Sequence, residues 1–317
     1  MRMFPLLQPS PQFRDVKDPC PVWDGARWHI FGSGGDVTTE TWRIYHATAP
    51  SLEGPWTEEQ PVETGIGGSG VAAPGVLCED GRFVMFVQTE FLRPGGTVEF
   101  LTSPDGFAWT RVNTALRAID GSCESGVYDP HPARIGGDCY LVYSGMAEGW
   151  PPKPDVYLAK SASGRWEGPW LRLGRILDHA DVAEHHNQPD HPDYEWGIEG
   201  AQLLQLPDGR ILLNATSFLP TGARGGRQRV FFAFADDVRG PYRSAGPVLE
   251  PASPGENGHS TALLIDGEVV LCYQARKEST GRRWRYGLAR FGLDPGRRHT
   301  TRPAAAPVLE TAVAEAV

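Results

Sequence analysis

Three acids and a histidine stand at matching points along the 317-residue sequence. Asp18 and Asp129 each precede a proline, Glu199 precedes a glycine and His259 follows one. Each sits just ahead of a short apolar stretch. A lone Asp-Pro at such a place is an ordinary turn cap. Three acids brought around one axis are different, because like charges raise each other's pKa and cost stability. Such costs are tolerated mainly at functional sites. Two well-placed carboxylates can hydrolyse a glycosidic bond, one protonating the leaving oxygen and the other activating water. A third acid beside the proton donor can hold that proton in place and orient the donor.

The elements that would position these residues repeat. Five segments look alike: DPCPVWDGARWHIFGSGG (18–35), APGVLCEDGRFVMFVQTE (73–90), DPHPARIGGDCYLVYSGM (129–146), EGAQLLQLPDGRILLNATSF (199–218) and HSTALLIDGEVVLCYQAR (259–276). Each reads as an apolar strand, a turn with glycine and a second strand rich in aromatic or β-branched residues. Asp24-Gly25, Asp80-Gly81, Gly136-Gly137, Asp208-Gly209 and Asp266-Gly267 supply the positive φ that tight hairpins need. A third apolar segment follows each hairpin, and after three of these come GPW at 54, GPW at 168 and GPY at 240. The unit is therefore about four strands long, with starts at 18, 73, 129, 199 and 259.

Four-stranded units in radial array are how a β-propeller protects its sheet edges. The sequence predicts an all-β, five-bladed β-propeller over residues 1–300, as one catalytic domain. Residues 301–317 are left as a tail, either a short helix or disordered. A sandwich with chance hairpins would not explain the recurring GPW/GPY. Asp18, Ala73, Asp129, Glu199 and His259 are taken as equivalent positions at one end of the central channel. Trp56, Trp109 and Trp170 read as core between blades.

Composition narrows the partners. A net charge of −9 leaves no basic stripe for a nucleic-acid backbone, and Arg282-Arg283 and Arg297-Arg298 read as solvated surface. Five scattered cysteines without CxxC spacing point to a reducing compartment and no zinc site. The opening MRMFPLLQPSPQF has three prolines and no sustained apolar run, so neither a signal peptide nor a membrane span is expected. A cytoplasmic location follows as an expectation, and the oligomeric state stays open.

With Asp-Pro opening the first and third units, Glu-Gly the fourth and Gly-His-Ser the fifth, the chain resembles glycoside hydrolase family 43 over roughly residues 14–291. The pieces that carry the resemblance are RDVKDPCPVWDGARWHIFGS, GVYDPHPARIGGDCYLVYSG, IEGAQLLQLPDGRILLNATS and GHSTALLIDGEVVLCYQAR. The resemblance implies an inverting glycosidase for a small arabinoside, xyloside or galactoside. It makes Asp18 the general base, Glu199 the general acid and Asp129 the residue that tunes the acid. No cofactor would be required. His259 would lie in the channel, near a bound calcium or its waters. Two departures concern the substrate subsites: Ala201 stands where the family has proline, and Gln274 follows Tyr273 where the family often has histidine.

Other residues are candidates for sugar contacts, since sugars are held by aromatic stacking and polar side chains. The stretch 178–200 holds four histidines and lies in the longest gap between units. It reads as a substrate-shaping loop with His191 and Trp196 in a subsite. Its spacing matches no standard zinc pattern. Gln88, Glu90, Trp150 and Arg276 stand near strand ends and join the list. The alternatives are a glycoside phosphorylase or a biosynthetic small-molecule enzyme on the same scaffold, and a non-catalytic sugar-binding propeller.

Overall fold

The computed structural model describes residues 2–3, 13–36, 41–58, 60–67, 70–90, 95–147, 153–182, 197–220, 226–249, 256–276 and 284–292. His191, Trp196, Trp150 and the tail lie outside them.

The Gly-containing turns close tight hairpins where they are two residues long. Asp80-Gly81, Gly136-Gly137 and Asp266-Gly267 have positive φ at both positions, the geometry that matches the twist of the flanking strands. The second strand of each hairpin is buried on both faces. Arg82–Thr89, for example, is enclosed from Phe83 onward. That is why these strands read as continuous apolar runs rather than alternating ones.

Five sheets of four antiparallel strands result. Blade one comprises Phe13–Trp23, Trp28–Asp36, Trp42–Ala49 and Gln60–Pro61, and blade two Val71–Glu79, Arg82–Thr89, Thr97–Ser103 and Thr110–Arg117. Blade three comprises Gly126–Ile135, Asp138–Met146, Asp155–Ser161 and Trp170–Leu177. Blade four comprises Ile198–Gln205, Ile211–Pro220, Gly226–Ala235 and Arg243–Pro247. Blade five has Glu256–Ile265, Glu268–Arg276 and Arg285–Gly292, and its outermost strand is Arg2–Met3 from the other end of the chain. The ring is thus closed by the N-terminus, a feature the repeat pattern did not reveal because two residues carry no period.

Each pair of neighbouring blades shares its own core. Phe31 and Ile44 meet Met85 and Val87; Phe86 and Phe100 meet Leu141 and Tyr143; Val142 and Leu158 meet Leu213 and Phe231. Leu212 and Phe232 meet Leu271 and Tyr273, and Val270 and Tyr286 meet Ile30 and Tyr45. Trp56, Trp109 and Trp170 pack against these clusters, as expected. The innermost strands crowd the axis: a Cβ on Gly75 of blade two would stand 2.2 Å from the carbonyl oxygen of Pro130 in blade three.

Every inner strand is broken by a bulge, and at each bulge one residue takes a left-handed backbone. These are Asp18 (φ 55°), Ala73 (50°), Asp129 (48°), Gly200 (61°) and His259 (22°). The equivalence drawn from the sequence is therefore corrected in blade four, where the bulge falls on Gly200 and Glu199 lies one residue before it. Pairing gives the reason. Glu199 faces Thr216 within the ladder, as Lys17 faces Ser33 and Ala72 faces Gln88.

A bulge residue's N–H cannot bond within its own sheet, so a side chain of the preceding blade takes it. Ser33 Oγ accepts from Ala73 N–H (2.7 Å), Gln88 Oε1 from Asp129 N–H (2.6 Å), Thr216 Oγ1 from His259 N–H (2.7 Å) and Gln274 Oε1 from Asp18 N–H (3.0 Å). Between blades three and four the acceptor is Asp129 Oδ2, to which Ser144 Oγ also donates. Removing one acceptor orphans a buried N–H, which costs about 1–3 kcal/mol. Thr216→Val, nearly the same shape, is expected to destabilise the protein by that amount in urea unfolding; an unchanged midpoint would remove the seam from the stability argument.

Candidate active site

The bulges put side chains on the axis that regular strands would not. Three of the five left-handed positions are Asp18, Asp129 and His259. Non-glycine residues in this region are strained, and such strain gathers at functional sites. They line a cavity of about 40 Å³ on the axis, together with Ala73, Gly200 and the start of each strand beyond.

His259 joins the acids. Its Nε2 is 2.7 Å from Glu199 Oε1, and its Nδ1 is 3.0 Å from Asp18 Oδ1. The second approach lies off the N–H line, so it is an ion contact rather than an aligned hydrogen bond. All four side chains are largely enclosed. Burial alone would discharge His259, but Asp18, Glu199 and Asp129 outweigh it and hold the imidazole well above its ordinary pKa. Burial likewise opposes the charge on Asp18. The His259 cation, then Lys17 and the Ser33 hydroxyl, overcome it and hold Asp18 below the usual carboxylate range. Asp129 goes the other way. Burial, then the charges of Glu199 and Asp18, push it up to about 6 against the pull of His259.

The site therefore holds an ionised carboxylate at Asp18, a cationic imidazole, and a carboxyl at Asp129 that takes up a proton near pH 6. The expected partner of Glu199, Asp129, lies within 4.8 Å of it and the two charges act on each other. His259 also bonds Glu199, and Asp129 Oδ2 is engaged by Ser144 and by the Gly200 N–H at 3.2 Å.

Asp129, Glu199 and His259 each offer an atom within 4.8 Å of the others, close enough to share a metal ion. Calcium takes six to eight oxygens. A direct bond from His259 does not fit, because both ring nitrogens already face carboxylates. The arrangement suits protons between the acids rather than an ion on the histidine.

The other candidates fall into place as follows. Gln88 is fully buried and reaches the site only through the Asp129 N–H; its Nε2 finds no partner among the described residues. Glu90 follows the second strand of blade two, at the same end as Ala73, with φ 55°. Arg276 ends the second strand of blade five, bonds Glu256 through Nε and lies 4.5 Å over the Trp284 ring. His191, Trp196 and Trp150 are outside the described residues.

Gly200, Ser144 and Thr216 were missed, and Gln274 was noted only as a departure from the family. The signal was in the sequence: each second strand carries a polar residue at the matching place, Ser33 in FGSGG, Gln88 in FVQTE, Ser144 in VYSGM, Thr216 in LNATS and Gln274 in CYQAR. Gly200 is needed on two counts. Its φ is 61°, and a Cβ there would stand 2.9 Å from His259 Nδ1. Gly200→Ala is expected to cost about 1–3 kcal/mol through backbone strain and to move the imidazole off Glu199. Loss of the His259–Glu199 contact in a crystal structure of the variant is the check.

No family sequence profile and no curated protein matches this chain. Solved structures do match it in shape. A thermostable family-43 glycoside hydrolase superposes with a TM-score of 0.68 at 13% identity, over 94% of this chain and 95% of that one. An exo-1,5-α-L-arabinanase from a bovine ruminal metagenomic library gives 0.65 at 15% identity, over 88% and 94%. An α-L-arabinofuranosidase from Podospora anserina, solved with cellotriose, gives 0.63 at 17% identity, over 90% and 94%. At these identities the likeness establishes the class of fold, the five-bladed β-propeller.

Proposed function

We propose that the protein is an inverting glycoside hydrolase for a small arabinoside, xyloside or galactoside, with Asp18 as base and Glu199 as acid. The observation that carries the reading is their placement on opposite nitrogens of one imidazole. The imidazole stands between the two carboxylates, in contact with each. That suits the roughly 6.5–9.5 Å of an inverting pair, with room for a water, better than the roughly 5–5.5 Å of a retaining one.

Each role follows from the surroundings. Asp18, kept ionised by His259 and Lys17, takes a proton from the attacking water. Glu199 delivers a proton to the leaving oxygen. Asp129 fixes Gly200 and hence the backbone beside Glu199. The chemistry needs no cofactor.

The test is turnover of a panel of nitrophenyl pentosides and hexosides, with Glu199→Gln as control. Hydrolysis with inversion at the anomeric carbon, seen by proton NMR and lost in the variant, supports the reading. No hydrolysis of any member sinks it and leaves a non-hydrolytic enzyme on the same scaffold.

A further inference from the structure

Resting on that reading, we propose that His259 supplies the proton that Glu199 delivers, so that the general acid of this site is a histidine–glutamate pair and not a lone carboxyl.

An enclosed acid needs a source for its proton. Glu199 is only 15% exposed in its side chain, and the group against it is the Nε2 of His259, at 2.7 Å. Asp129 makes no direct hydrogen bond to Glu199 among the described residues; its Oδ2 takes the Ser144 hydroxyl and the Gly200 N–H. Among the described residues, the charged groups that face the ring are Asp18 from blade one, Asp129 from blade three and Glu199 from blade four, with Lys17 beside Asp18. Acids surround the imidazole on three sides, and this favours its cationic form.

The transfer balances. At rest Asp18 and Glu199 are anions and His259 carries protons on both nitrogens. The Nε2–H bond breaks with its electron pair left on nitrogen, and an O–H bond forms on Glu199. That O–H then breaks toward the leaving oxygen, which takes the electron pair of the glycosidic C–O bond. On the other face a water loses a proton to Asp18 and its oxygen bonds to the anomeric carbon. Afterwards Asp18 is neutral, His259 is neutral with Nδ1–H, and Glu199 is again an anion. The net charge of the trio has not changed, so no charge is created in the enclosed site. The cycle closes when Asp18 gives its proton to bulk water and Nε2 takes one back.

This differs from a structural role in one measurable respect. A proton donor matters most when the leaving group is a poor one. Aryl glycosides of the accepted sugar, graded from dinitrophenyl to unsubstituted phenyl, should be turned over by wild type, Glu199→Gln, His259→Gln and the double variant. Both single variants are expected to lose on the order of a hundredfold or more in kcat/KM on phenyl glycoside, within the range of positioned proton transfer. Both should recover to within roughly tenfold of wild type on dinitrophenyl glycoside, and the double variant should be no slower than Glu199→Gln. A His259→Gln loss equal across all leaving groups, or losses that multiply in the double variant, overturns the proposal and leaves the hydrolase reading standing. If wild type hydrolyses not even the dinitrophenyl glycosides, both fall together. Should His259→Gln not fold, nitrogen-15 NMR of the wild-type imidazole decides. A proton on Nε2 at neutral pH, with a titration displaced by Glu199→Gln, supports the pair; a bare Nε2 overturns it.

Discussion

Asp18→Asn is expected to lower kcat by on the order of 10³-fold on every glycoside the protein accepts, whatever the leaving group. In its proposed role as base Asp18 acts on water, and water must be activated in each case, so an easier departure does not compensate. The amide keeps the shape of Asp18 and its contact with the ring, now at 3.0 Å, so the fold should survive. What is lost is the anion that takes the proton. Azide, already a nucleophile, should therefore restore turnover of an activated glycoside in Asp18→Asn and release a glycosyl azide of inverted configuration. Circular dichroism and thermal melting separate this from misfolding. A variant that keeps more than about a tenth of wild-type kcat would remove Asp18 as base, because even a weak contribution from a positioned base exceeds that.

Asp129→Asn is expected to give a protein that is more stable than wild type above pH 6 and less active. The sign follows from linkage. Burial and the neighbouring acids raise the Asp129 carboxyl from the ordinary 3.8 to about 6. Below about pH 3.8 the group is protonated folded or unfolded and costs nothing. Between the two values the native state binds more protons than the unfolded one, so stability falls as pH rises. Above pH 6 the full cost is present, on the order of 3 kcal/mol for a displacement of that size. Asparagine avoids the charge and still accepts from Gly200 and Ser144. Urea unfolding of both proteins at pH 4 and pH 8 is the measurement. A gain seen at pH 8 and faded at pH 4 fits; a difference independent of pH would mean that Asp129 acts by packing. Stability recovered at the expense of activity is the expected trade at a site built from like charges.

Much of this was legible beforehand because a propeller is a periodic object. The Asp-Gly and Gly-Gly turns, the apolar second strands and the GPW/GPY marks each obey local rules, and five copies make local signals reinforce one another. The four chemical residues could be read at blade starts for the same reason. The offset of one residue in blade four could not, because Glu199-Gly200 reads as a strand start whether the bulge falls on the acid or on the glycine. The closing strand Arg2–Met3 is too short to carry any pattern.

The sequence by itself determined the number of blades, the order of the strands within the repeated unit and which residue types reach the axis, since these depend on turn chemistry and on short-range periodicity. Only the tertiary structure decided which acid holds its proton more tightly and what stands between Asp18 and Glu199. Those outcomes depend on distances between residues of different blades: 2.7 Å from His259 to Glu199, 60 residues apart, and 2.6 Å from the Asp129 N–H to Gln88. Charge in an enclosed site is governed by such distances and by burial, and no spacing along a single chain encodes them.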